Sequence, residues 1–327
     1  MAGSKQNDAI TDVPGIKVGH WTDRRAATGC TVVLCERGAM PGVDVRGAAP
    51  GTLETDLLRP GYAATSVNAI LLTGGSLFGL SAAAGVTRWC EEHGIGIQFG
   101  GQLIPIVSGA VIFDLGFGKA DVRPTADSGY AAAAAAKSGR VAQGSIGAGT
   151  GATVAKLMGR NRALKGGIGS ASETLAEGVV VGALVVVNAV GDVVDSRDGR
   201  VVAGPRGEDG GFLDTMDALR LGTRRPFEGN TTIGVVATNA ALTKEQTNRL
   251  AVVAHDGLAR AIRPVHTLAD GDTMFAMATG EQEITQGRIV ALEAFAVRAI
   301  ERAIVKAVTA ATSLAGVPSV SEWRRSR

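Results

Sequence analysis

Glycine clusters set between apolar runs constrain this chain more than any other feature. "LTGGSLFG" (72–79), "GSIGAGTGA" (144–152) and "LKGGIGSAS" (164–172) each stand between hydrophobic segments, and 46 of the 327 residues are glycine. That is about twice the usual share of roughly 7%. There is no collagen-like period and no glycine-rich linker. Glycine in such places allows tight turns and lets one backbone approach another closely.

The runs between the clusters alternate in type. Strand-like segments are "CTVVLCE" (30–36), "VNAILLT" (67–73), "IPIVSGAVIFDL" (104–115), "VVVGALVVVN" (179–188), "TIGVVAT" (232–238) and "TMFAMAT" (273–279). Helix-like segments are 77–93, closed by Gly94, and the alanine-rich 129–137. A helix over 244–263 has stronger signals: Thr243 and Gln246 form a capping box, Leu250, Ala254, Leu258 and Ala261 share a face, and Pro264 stops it. Residues 281–314 carry Ile289, Leu292, Ala296, Ile300, Ile304 and Val308 on one stripe, as one helix or two. The polar stretches 195–211 and 224–230 read as an exposed connection rather than a domain boundary. The expectation is one α/β domain over 1–327, with no internal repeat.

Composition removes several function classes. With 33 basic and 31 acidic residues, a net charge of +2 and 4% aromatics, no basic stripe with interleaved aromatics exists to hold nucleic acid. The basic tail, Arg324-Arg325 with Arg327, reads as a solvated terminus. Cys30, Cys35 and Cys90 form no CxxC pair and suit reduced thiols. "MAGSKQNDAI" lacks the apolar core of a signal peptide, and the apolar run 179–190 is too short to span a bilayer, so a cytoplasmic protein with no membrane partner is expected. His20, His93, His255 and His266 show no HxH or HExxH spacing, which argues against a metal. No P-loop and no GxSxG elbow occur. "GAGTGA" (147–152), with Glu173 downstream, approximates a dinucleotide turn but lacks a convincing preceding strand.

The stretch "FEGNTTIGVVATNA" (227–240) is different. Gly229-Asn230 reads as a turn and the threonines as the start of a buried strand. "NTT" also matches a glycosylation sequon, without a secretory context to support it. A second reading makes Thr231 a nucleophile that needs no histidine. A threonine at a free N-terminus can use its own α-amine as base, and that amine has a pKa near 7.7–8.0 rather than a lysine's 10.4. Thr231 is internal, so its hydroxyl would first attack the Asn230 carbonyl and cut the chain there. The residues alone leave both readings open.

"VRGAAPGTLETDLL" (45–58), "AILLTGGSLFGLSAAAGV" (69–86), "LKGGIGSAS" (164–172), "GNTTIGVVATNA" (229–240) and "RPVHTLADGDTMFAMATG" (263–280) follow one another in order. Together they resemble the L-aminopeptidase/D-esterase family of self-processing N-terminal-nucleophile hydrolases, most of all its nylon-oligomer hydrolase branch. The resemblance runs from about residue 10 to 317. It implies a four-layer α/β/β/α sandwich, and a precursor cleaved into 1–230 and 231–327 chains that stay together, as a homo-oligomer of such pairs. It implies that Thr231 is the nucleophile, Asn230–Thr231 the cleaved bond and Asn188 an oxyanion donor. It places Lys165 near the nucleophile, paired with Asp272, and Asp270 with Asp272 behind it. Tyr130 takes the place of an active-site tyrosine. It implies no metal or organic cofactor, and a peptide or other small-molecule amide as substrate. Family members with serine at the junction are typically aminopeptidases, so threonine here leaves peptide, β-amino amide, ester and synthetic oligoamide open. Two rivals remain: a glycine-rich nucleotide- or cofactor-binding protein using "GAGTGA", and an inactive family member that binds ligands or acts as a scaffold.

Overall fold

The computed structural model describes residues 6–222 and 229–325. Its main sheet contains nine strands: β1 (Ile16–Asp23), β2 (Thr28–Val45), β3 (Thr52–Leu53), β4 (Val67–Thr73), β5 (Val107–Val111), β6 (Gly167–Thr174), β7 (Val180–Asn188), β8 (Thr231–Ala240) and β9 (Thr273–Gln282). Their order is β6-β7-β8-β9-β2-β4-β5-β3, with β1 also on β2. The 18-residue β2 holds the two halves together. Its first part pairs with β1 and β4, and its second part, Met40–Val45, pairs with β9.

The halves lie face to face, as side-chain alternation reveals. Val33, Ile70, Leu72 and Ile112 from one half share a buried cluster with Leu184, Val186, Ile233, Val235 and Phe275 from the other. The opposite faces are covered by helices. Residues Val32, Leu34 and Leu71 pack on α1 (Ala82–Glu92) and α2 (Ala126–Ala134). In the other half, Val181, Ala183, Val185, Val187 and Val236 pack on α3 (Lys244–Ala261) and α4 (Gln286–Thr309). The result is the α/β/β/α sandwich that the resemblance implied.

The helix cap at Thr243 forms as read: its side chain accepts from the Gln246 N–H, and Gln246 returns a bond to the Thr243 N–H. Boundaries differ elsewhere. Residues 76–81 are a 3-10 turn leading into α1, and only 107–111 of the 104–115 run enter the main sheet. The 281–314 stretch is one helix over 286–309, followed by a separate short helix, Val320–Arg325. The segment expected as an exposed loop contains a strand, Val201–Ala203, paired with Asp192–Val194. Residues 224–228 of its partner stretch, and Arg327 of the basic tail, lie outside the described residues. Among the described residues no helix is long and apolar enough to cross a membrane.

Strands β1 and β6 go beyond the sequence reading. "GIGSASET" looks like a turn because two of its residues are glycine, yet it is a full strand beneath α4. A Cβ on Gly169 would overlap the Ala303 carbonyl, and one on Gly167 would meet that of Ala307. The glycines bring a helix backbone down onto the sheet. Gly169→Ala is therefore expected to force α4 outward, with about 1–3 kcal/mol lost to overpacking. The check is a lowered denaturant midpoint in a protein that is still soluble.

Candidate active site

The site begins where the inter-sheet core ends. Thr231, the first residue of β8, lies opposite Asn188, the last residue of β7. Ile233 and Val235 on one strand, and Leu184 and Val186 on the other, alternate into the layer between the sheets. The same period brings Thr231 and Asn188 to the mouth of that layer, where both are buried. On its other side β8 runs parallel to β9, and Asn230 bridges Asp270.

The turn Asp270-Gly271-Asp272 wraps the Asn230–Thr231 peptide. The Gly271 N–H donates to the Asn230 carbonyl oxygen at 3.1 Å, and Thr231 Oγ1 donates to the same oxygen. A Cβ on Gly271 would lie 2.7 Å from the Ala49 carbonyl and 3.1 Å from Thr231 Oγ1, so a side chain would crowd the hydroxyl. Asp272 Oδ1 accepts from the Thr232 N–H at 2.6 Å. Its Oδ2 accepts from the His266 N–H at 3.2 Å and lies 2.7 Å from His266 Nδ1. Asp270 Oδ2 accepts from the Thr267 N–H at 2.6 Å. Burial, and then the charge of Asp272, push the Asp270 carboxyl above its ordinary range.

Asn188 is held at its oxygen. Oδ1 accepts from the Thr153 N–H at 3.0 Å and from Lys156 Nζ at 2.9 Å, and Nδ2 donates to the Phe113 carbonyl at 3.2 Å. Lys156 Nζ also donates to the Asn188 and Gly229 carbonyls, at 3.0 and 3.3 Å. Of these residues Phe113, Thr153, Lys156 and Gly229 line a cleft of about 350 Å³ whose walls also include Phe117, Leu157 and Arg160, with Asn230 at its side.

Behind the cleft, Lys165 is fully buried. Its Nζ donates to the Thr150 carbonyl at 2.8 Å and to that of Ala152, and lies 4.5 Å from the Phe117 ring centroid. Burial outweighs the nearby Asp114 charge and lowers its pKa to about 7. Asp114 accepts from Thr28 Oγ1 at 2.7 Å and from the Gly75 N–H at 2.6 Å, and burial raises its carboxyl.

The structure thus brings together Thr231, Asn230, Asn188, Asp270 and Asp272. It does not pair Lys165 with Asp272. Lys165 turns to the carbonyls of the 150–152 turn, with Asp114 as its carboxylate, while both oxygens of Asp272 are taken by Thr232 and His266. Lys165 is joined to the site only through its strand, which pairs with Thr153, the residue that holds Asn188. Tyr130 lies in the outer helical layer: its hydroxyl donates to Glu92 at 2.6 Å and Arg88 lies 4.7 Å over its ring. "GAGTGA" is buried and begins as a 3-10 turn over 147–149, its Ala148 N–H bonded to Thr31, and it leads into the short strand Thr153–Val154 rather than the helix that a dinucleotide turn opens. Lys156, Asp114, Gly271 and His266 escaped the sequence reading. His266 and Gly271 stood inside a motif noticed for its aspartates, and Lys156 had no spacing signal at all.

Two expectations follow from these placements. Tyr130→Phe should retain wild-type kcat/KM on any amide substrate the protein hydrolyses. The lysine at 165 binds a proton more weakly folded than unfolded, so between about pH 7 and 10.5 the unfolded chain carries the extra proton. Stability should therefore gain over that window as pH rises. Tm measured from about pH 7 to 10 should show this gain in the wild type and not in Lys165→Met.

Residues 8–320 match the sequence model of peptidase family S58. The chain is 45% identical to an uncharacterized aminopeptidase of Mycobacterium leprae, across 95% of this chain and 93% of that one. It is 35% identical to the 6-aminohexanoate-oligomer endohydrolase of Paenarthrobacter ureafaciens, across 84% of this chain and 75% of that one. Among solved structures it resembles a β-aminopeptidase of Burkholderia sp., with a TM-score of 0.73 and 25% identity, covering 100% of this chain and 96% of that one. It also resembles the L-aminopeptidase D-Ala-esterase/amidase of Ochrobactrum anthropi, described as a variant of the Ntn-hydrolase fold. There the TM-score is 0.74 and the identity 22%, covering 97% of this chain and 90% of that one. The family model's match over residues 8–320, with a relative 45% identical across 95% of this chain, places the chain in peptidase family S58.

Proposed function

We propose that this hydrolase of amide bonds processes itself between Asn230 and Thr231, and that the freed Thr231 is its nucleophile. The observation that carries the reading is the Asn230 carbonyl oxygen, which receives both the Gly271 N–H and Thr231 Oγ1. In the first step Oγ1 adds to the Asn230 carbonyl carbon. Negative charge gathers on the oxygen already held by Gly271, the bond to Thr231 N breaks, and that nitrogen takes the proton. Water then hydrolyses the resulting ester, leaving an Asn230 carboxylate and a Thr231 α-amine.

In turnover that amine takes the Oγ1 proton as Oγ1 attacks a substrate carbonyl. An α-amine with a pKa near 7.7–8.0 holds a sizeable free-base fraction near neutral pH, where a lysine amine near 10.4 holds almost none. Asn188 Nδ2 and the Gly271 N–H are the oxyanion donors, each worth about 10²–10³ in rate. Asp270 and Asp272 order the turn that carries Gly271 and the backbone after Thr231. Lys165 braces the 150–152 turn that leads to Thr153. The acyl-Thr231 ester is finally hydrolysed by water. The two chains would stay joined because β8 is bonded to a neighbour on each side. The substrate is a linear amide, with the relatives' names pointing to peptide N-termini and oligoamides; assembly into a homo-oligomer belongs to the same proposal.

A denaturing gel and N-terminal sequencing test it. The wild type should give fragments 1–230 and 231–327, the second beginning Thr-Thr-Ile-Gly. Thr231→Ala should remain one inactive chain, whereas Thr231→Ser and Thr232→Ala should still split. A fragment starting at Thr232, or a Thr231→Ala protein cut at the same bond, would falsify the mechanism.

A further inference from the structure

We infer that Lys156 is a positioning residue that fixes the side-chain amide of Asn188 with its N–H₂ end toward the cleft. This rests on the reading of Asn188 as an oxyanion donor. An asparagine side chain can present either end of its amide, and its neighbours decide which. Here the Thr153 N–H and the Lys156 ammonium both point at one end, at 3.0 and 2.9 Å. Only an oxygen can accept from both. With the amide reversed, its N–H₂ group would face two other donors, one of them charged. The remaining end, Nδ2, is thereby turned toward Phe113, on the cleft wall.

Lys156 is itself fixed. Its own N–H donates to the Val190 carbonyl at 3.0 Å, and the preceding Ala155 N–H to Gly191 at 3.1 Å. The loop after Thr153 is thus fastened to the loop after Asn188. The ammonium then closes back on the Asn188 carbonyl at 3.0 Å. Thr153 alone, a neutral donor, leaves the reversed amide less costly than a charged donor does. The lysine also reaches the Gly229 carbonyl at 3.3 Å, one residue before the cleaved bond. In the uncut chain, however, the carbonyl to be attacked is held by Gly271 rather than by Asn188. Self-cleavage and turnover therefore draw on Lys156 differently.

The test is a double-mutant cycle on purified, processed protein with one amide substrate. Lys156→Met should still split between Asn230 and Thr231, and its kcat should fall by up to about 10²-fold with little change in KM, because the donor is misaimed in the transition state. Lys156→Arg, which keeps a charged donor, should recover part of the loss. Asn188→Ala should abolish the effect: the double variant should be no slower than Asn188→Ala alone. If Lys156→Met does not give soluble protein, Lys156→Gln, which also removes the charge, carries the same cycle. Wild-type kcat in Lys156→Met, losses that multiply in the double variant, or a Lys156→Met chain that stays uncut would each overturn the inference. A wild-type protein that never splits would sink the Thr231 assignment instead.

Discussion

The pairing of Thr231 with Asn188 governs the rest of the site. Strand side chains alternate between faces, so a slip of one residue would turn Thr231 toward the helices and bring Thr232 to the inter-sheet face. The register is held at the strand's first residues. The Thr232 N–H is bonded to Asp272, the Asn230 carbonyl to the Gly271 N–H, and the Asn230 N–H reaches the Ala269 carbonyl at 3.4 Å. Thr232 lies opposite Val187, on the face packed against α3 and α4. Which of two adjacent threonines takes the inter-sheet face is thus decided by backbone bonds to the turn before β9.

The charged groups around this point obey one rule. Carboxylates accept from backbone N–H groups: Asp272 from Thr232 and His266, Asp270 from Thr267, Asp114 from Gly75. Lysines donate to backbone carbonyls: Lys165 to Thr150 and Ala152, Lys156 to Asn188 and Gly229. A buried charge is costly unless hydrogen-bonded, and here most of the bonds come from turns rather than from opposite charges. Each charge therefore stiffens a loop. The turns 150–152, 188–191 and 267–272 reach the site already ordered.

That rule explains what the sequence disclosed and what it withheld. Central strands such as 67–73 and 180–188 stood out because they are apolar on both faces, and the cap at Thr243 because it is local. The Asn230–Thr231 peptide showed itself through a turn followed by a strand. Charge partners did not. Pairing Lys165 with Asp272 joined two residues that share a site but face different turns, since nothing in a linear pattern says which carbonyls a lysine will meet. Lys156 follows a glycine turn with no periodicity to mark it. Strand β6 was hidden because its glycines, which admit α4, resemble punctuation. Tyr130 was placed by resemblance alone, and helix packing put it in the outer layer.

Threonine, rather than a more mobile serine, suits such a setting. Two heavy atoms on its Cβ restrict χ1, and a residue within a strand loses more of that freedom. Thr231 is also buried, with Gly271 against its hydroxyl and no Cβ to displace it. The hydroxyl is kept on the Asn230 carbonyl by rotamer limits and packing, not by a separate base holding it. The proposed chemistry, in which Thr231 would carry its own amine as base, then asks only that position be supplied. Supplying position is what a strand end, a glycine and a ring of backbone hydrogen bonds do well.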